Sequence, residues 1–120
     1  MKKILITGGA GYLGSVLTEV LLNKGYQVTV LDNLSYKQTS LITFSHHPNF
    51  DFVLGDVRNN EELFKLVKTH DVIIPLAAIV GMPACKAQPQ ATVDINYIQV
   101  KNIVEWASKD RDWETILHYF

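Results

Sequence analysis

An α/β fold built on a parallel sheet is what this sequence predicts, on three observations. The first is a change of hydrophobic period near the start. The apolar run Ile4 to Ile6 breaks into glycines at Gly8, Gly9, Gly11 and Gly14. Leu13, Val16, Leu17, Val20 and Leu21 then recur at spacings of three and four, the period of a helix. The second is repetition, because apolar β-branched runs alternate with helical stretches for most of the chain. The third is bulk chemistry. At 120 residues, with 48% hydrophobic and 19% charged residues, the chain is one globular domain at most.

Composition also removes several classes of function. A formal net charge of −1 leaves no basic footprint for nucleic acid. The single cysteine, Cys85, excludes an intramolecular disulfide and a multi-cysteine zinc site, and fits a small apolar filler in a reducing compartment. Lys2 and Lys3 precede only a short apolar run that leads into glycines, so no signal peptide is expected. The stretch Val72 to Cys85 is too short to span a bilayer and is interrupted by Pro75 and Pro83. A cytoplasmic protein is the expectation.

Strand, glycine turn and helix, in that order, are what a dinucleotide fingerprint requires. Gly8 turns the chain sharply off the strand, and Gly11 removes a Cβ where backbone must approach a pyrophosphate. Gly14 lets the helix pack closely on the strand. The free N–H groups of the first helical turn, at Tyr12, Leu13 and Gly14, then face the phosphates with the positive end of the helix dipole. Gly25, after Lys24, stops this helix. Gln27 to Leu31 forms a second strand ending at Asp32, which completes a Rossmann-like unit. An acid there, roughly 20 residues past the glycines, is placed to hold a ribose diol and to repel a 2′-phosphate, favouring NAD over NADP. A solvated strand-end acid is its bland alternative.

Residues 36 to 49 are polar, with one or two helical turns expected around Leu41, Ile42 and Phe44. His46 and His47 are adjacent, point different ways, and read as surface loop. Phe50 to Leu54 predicts a third strand, followed by Gly55-Asp56-Val57-Arg58. Asn59 or Asn60 caps the next helix, which buries Leu63, Leu66 and Val67 and pairs Glu61 with Lys65. Asp56 is an alternative cap. The run from Asp71 to Ala78 is a fourth strand, covered on both faces. Gln90 to Ser108 is a helix with Val93, Tyr97, Val100, Val104 and Ala107 on its buried stripe. Ile95, Ile98, Ile103 and Trp106 add apolar surface beyond what one face needs. The tail from Asp110 holds a candidate fifth strand at Glu114 to Phe120.

Thr7-Gly8-Gly9-Ala10-Gly11-Tyr12-Leu13-Gly14, spaced G-x-x-G-x-x-G, resembles the signature of the extended short-chain dehydrogenase/reductase family, which contains the NAD-dependent nucleotide-sugar epimerases and dehydratases. The resemblance extends to four further segments. It implies that Asp32-Asn33-Leu34-Ser35 surrounds the adenosine and that Asp56-Val57 reaches the adenine. It implies also that Leu76-Ala77-Ala78 lies along the ribose and nicotinamide, and that Asn96 approaches the cofactor from its helix. Ile79 to Cys85 would border the substrate site, or be a plain strand-to-helix connection. The helix over 90–108 would be buried on two sides or serve as a homodimer contact.

The family's chemistry needs a Ser or Thr ending the fifth strand and a Tyr-x-x-x-Lys on the helix after it, with the tyrosinate as base and the lysine lowering its pKa. Tyr97-Ile98-Gln99-Val100-Lys101 has that spacing, but follows the fourth strand, and Tyr97 sits on the expected buried stripe. It reads as a coincidence. The sequence therefore predicts a dinucleotide-binding domain over 1–109 with an atypical tail over 110–120, no catalytic residues and no metal. Three readings follow from it. One is the NAD-binding part of a nucleotide-sugar epimerase or dehydratase, an isomerase-type enzyme whose catalytic half this chain lacks. The second is a free-standing NAD-binding or sensor module, and the third is an inert truncated fragment.

Overall fold

The computed structural model of the chain describes residues 2–8, 12–33, 44–77, 86–107 and 114–115. Five strands run parallel: β1 (Lys3–Thr7), β2 (Gln27–Asp32), β3 (Phe50–Leu54), β4 (Val72–Pro75) and β5 (Glu114–Thr115). They lie side by side in the order β3-β2-β1-β4-β5. β1 is central because it is apolar on both sides, with Leu5 and Ile6 fully buried. The connection that carries the chain from β3 to β4 reverses its direction of travel across the sheet. The doubly wound architecture is therefore present, and the fifth strand is seen at Glu114–Thr115, where it pairs with Val72 and Ile73.

Alternation along the strands divides the core in two. Ile4, Ile6, Val28, Val30, Val72 and Ile74 pack on one face with Leu22. Leu5, Leu31 and Ile73 pack on the other with Leu63, Val67, Ile103 and Ala107.

The first face is covered by α1 (Tyr12–Asn23), though not with the expected stripe. Leu13, Val16 and Val20 are each at least 40% exposed, whereas Gly14, Thr18 and Leu22 are buried and Leu17 and Leu21 partly so. Gly14 and Thr18 are the reason. Small residues let the helix approach the sheet on their side, and the Thr18 hydroxyl is satisfied internally by donating to the Gly14 carbonyl at 2.7 Å. The helix ends as expected. Gly25 (φ 89°) donates to the Leu22 carbonyl and Tyr26 to that of Leu21, a Schellman pair.

The second face carries α2 (Asn60–Thr69), whose cap is Asn59, its Oδ1 accepting from the Glu62 N–H. Leu63 and Val67 are buried in it, and Glu61 and Lys65 pair at 3.6 Å in solvent. At its end His70 is 7% exposed. Nδ1 lies 2.7 Å from the Leu66 carbonyl, which can only accept, so Nδ1 carries the proton and Nε2 accepts from the Thr29 hydroxyl at 2.8 Å. Burial pushes this imidazole below its ordinary pKa.

The long helix expected over 90–108 is instead three pieces: α3 (Pro89–Val93), a π-helical turn (Asp94–Ile98) and α4 (Gln99–Ala107). Bonds from i to i+5 in the turn admit an extra residue and rotate everything after it. The buried positions become Gln99, Ile103 and Ala107, while Val93 is 49% and Tyr97 61% exposed. Of the expected stripe, Val93 and Tyr97 are thereby corrected, Val100 and Val104 are partly buried, and Ala107 is buried as expected. Gln99 enters the core, and among the described residues neither end of its amide is hydrogen-bonded. No helix among the described residues is long and apolar enough to cross a membrane.

Candidate functional site

Parallel strands place all their carboxyl ends on one edge, and a ligand crevice opens where neighbouring strands lead the chain in opposite directions. Here that point lies between β1, which leads to β2, and β4, which leads towards β5. Its floor is backbone. Gly8 adopts φ 75°, and a Cβ on it would stand 2.6 Å from both the N and the Cα of Ala77 and 2.9 Å from the Leu76 carbonyl carbon. Only glycine permits that packing. Two hydrogen bonds fix the floor, Gly8 N–H to the Leu31 carbonyl and Leu76 N–H to the Thr7 carbonyl, each at 2.8 Å. β4 ends at Pro75, short of the expected Ala78, and the Leu76 N–H makes the last bond of its ladder with β1.

α1 starts from this edge and carries no acidic residue in its first turn, so no carboxylate of that turn offsets its positive end. α2, by contrast, has Glu61 and Glu62 there. The edge continues across β2 and β3. Asp32 is partly buried at the end of β2, with Asn33 exposed after it. The Asp32 carbonyl accepts from Gly55 N–H at 3.1 Å, which brings the residues after β3 alongside.

Asp56 follows Gly55 and does not cap α2, a role taken by Asn59. Its carboxylate is gripped by Arg58: Nε lies 3.0 and 3.1 Å from the two oxygens, Nη2 lies 2.6 Å from Oδ2, and the Arg58 backbone N–H donates to Oδ1 at 2.8 Å. These bonds to the guanidinium hold the Asp56 carboxyl below its usual range. Val57 points its side chain inward, 6% exposed, against the second core face, so only its backbone is available to a ligand.

The structure thus brings Gly8, Asp32, Asn33, Asp56, Val57, Leu76 and Ala77 to one edge. Leu13, the second residue of α1, has its side chain exposed, and Gly14 is buried. Asn96 lies partly buried in the π-helical turn. Gly11, Leu34, Ser35, Ala78, the 79–85 segment and the side chain of Tyr12 lie outside the described residues, as do Leu41 and Ile42. Tyr97 and Lys101 are both exposed, so the expectation that Tyr97 is packed away does not hold. Sequence reasoning passed over Arg58. The Asp-x-Arg spacing directly after a strand was the available signal, since a turn of two residues folds the guanidinium back on the acid.

Comparison with known proteins agrees with this fold. Residues 4–118 match the model of the NAD dependent epimerase/dehydratase family. The chain is 34% identical over 110 residues to a UDP-N-acetyl-alpha-D-glucosaminuronate decarboxylase of Bacillus cytotoxicus, covering 92% of this chain and 34% of that protein. It is 37% identical over 107 residues to CDP-paratose 2-epimerase of Salmonella typhi, covering 86% and 32%. A dTDP-glucose 4,6-dehydratase from Bacillus anthracis, solved in complex with NAD, superposes with a TM-score of 0.79 at 27% identity, over 98% of this chain and 37% of that one. The chain spans about a third of the length of these relatives. From β1 to beyond β5 the match is continuous, and the chain belongs to the NAD-dependent epimerase/dehydratase family.

Proposed function

We propose that this chain is the NAD-binding part of a nucleotide-sugar epimerase or dehydratase, with residues 1–109 as the dinucleotide-binding domain and 110–120 as an atypical tail. The observation that carries the reading is the backbone floor at Gly8 and Ala77, at the strand-order reversal and beneath the start of α1. A pyrophosphate needs such a place: backbone without side chains, and an unneutralised helix end. The residues fit NAD from end to end. Asp32 would accept from both hydroxyls of the adenosine ribose, Asp56 and the Val57 backbone would meet the base, and Leu76-Ala77 would flank the nicotinamide half. Bound NAD supplies a transient hydride acceptor for a sugar carbon; the chain's own residues bind and orient it. The base for a sugar hydroxyl is assigned to chain beyond these residues, and so is the nucleotide-sugar site.

Calorimetric titration with NAD and NADP tests this. NAD should bind more tightly, and Asp32→Ala should bring the two affinities together by removing the diol contact and the repulsion of a 2′-phosphate. Equal affinities in the unaltered chain would mean that Asp32 does not face the ribose.

A further inference from the structure

Arg58 belongs to neither core and lies outside every residue assigned above to the cofactor, yet both its guanidinium and its backbone N–H bond Asp56 on the carboxyl edge. Its pairing with Asp56 is exposed, 44% and 33% for the two side chains. Exposed ion pairs add little to stability, and the cap of α2 is provided by Asn59. What the pairing does change is the carboxylate itself. An aspartate at an open turn samples several rotamers. This one is held at both oxygens by a guanidinium fork and at Oδ1 by a backbone N–H.

The sheet order says what that carboxylate would meet. With the pyrophosphate at the end of β1 and the ribose at Asp32 on β2, the base cannot return over β1. It falls over the next strand, about 4.8 Å further on, where Gly55 is tied to the Asp32 carbonyl and Asp56 follows. An ionised carboxylate only accepts hydrogen bonds. Of the substituents on adenine, the 6-amino group is the one that donates.

We propose that Arg58 is a positioning residue for base selection: by fixing the Asp56 carboxylate it makes the site discriminate a 6-amino purine from a 6-oxo purine. The proposal rests on NAD lying along this edge as proposed above. The Asp56 carboxyl, already depressed by Arg58, stays ionised and acceptor-only throughout the neutral range.

The test is calorimetric titration of the 120-residue chain with NAD and with nicotinamide hypoxanthine dinucleotide, which carries a 6-oxo group instead. The unaltered chain should prefer NAD by about ten- to a hundredfold, the range for one hydrogen bond to a charged group. Arg58→Ala should lower that preference to within about threefold of unity, mostly by weakening NAD. Arg58→Lys should recover part of it, because an ammonium supplies the charge without the fork. Arg58 is exposed, so the fold should survive; the lysine variant keeps the comparison readable if alanine lowers the melting temperature. An unchanged preference in Arg58→Ala, or an equal loss for both dinucleotides, would overturn the positioning role alone. No binding of NAD by the unaltered chain would overturn the site reading and this inference with it. Binding without preference would overturn the placement of the base, and so the role of Arg58.

Discussion

Gly8→Ala is a substitution that the structure judges severely. Two costs add. The backbone at φ 75° is left-handed, which costs a residue with a Cβ about 1–2 kcal/mol. That Cβ would also stand 2.6 Å from the Ala77 backbone, and backbone cannot move aside as a side-chain tip can. Overpacking of this kind costs about 1–3 kcal/mol. The sum is about 2–5 kcal/mol, a large part of the roughly 5–15 kcal/mol that holds a domain folded. Gly25→Ala supplies the control. Its φ is 89°, but nothing lies within 4 Å of the new Cβ, so only the first cost applies. In urea, with a slope of about 2 kcal/mol per molar, Gly8→Ala should lower the unfolding midpoint by about 1–2.5 M and Gly25→Ala by about 0.5–1 M. Equal shifts for the two variants would refute the close contact between the glycine turn and the end of β4.

Two further outcomes follow from buried polar groups. Burial holds the folded-state pKa of His70 below its ordinary 6.5, with Lys3 lowering it further and the Leu66 carbonyl, Asp71 and Asp51 opposing. The folded state therefore binds fewer protons than the unfolded one, so stability is fully present above about 6.5 and falls as pH drops through that value towards the folded pKa. Urea midpoints measured between about pH 5 and 7.5 should decline on the acid side, and His70→Gln should flatten that slope. Gln99 is 1% exposed, with its amide oxygen and nitrogen both unpaired among the described residues. Gln99→Met, of similar length and without the amide, should raise the midpoint by the equivalent of about 1–3 kcal/mol; a lower midpoint would mean that the amide is satisfied.

Much of this was legible in the sequence, for identifiable reasons. The two central strands announce themselves because they are buried on both faces and read as unbroken apolar runs, Ile4–Ile6 and Val72–Ile74; β3, with Asp51 and Leu54 exposed, is read from its aromatic and β-branched residues instead. The glycine turn is legible because Gly8 sits in a position that only glycine can fill. The helices were read less well. Counting apolar residues put Leu13, Val16 and Val20 inside α1, whereas close approach selected Gly14 and Thr18, a small residue and a hydroxyl that hides its own polarity. On the last helix the apolar period ran through Tyr97 and Val100, and nothing in the composition announces a π-helical turn. At the site, Asp32 and Asp56 were visible as acids at strand ends. The hold of Arg58 on Asp56 was not, since it depends on how two turn residues fold back on each other.

The turn over Asp94–Ile98 has a mechanical consequence for the surface on either side of it. A helix of constant pitch is a screw that can engage its seat in one setting only. Splitting the screw by a fraction of a thread lets its two halves engage independently. Beyond the split, α4 drives Ile103 and Ala107 home against Leu63 and Val67. Before it, the thread is free to show Val93, and at its last step Tyr97, to the outside. One slipped thread therefore produces both oddities of this segment, an amide where the core expects a hydrocarbon and an aromatic ring where the surface expects a charge.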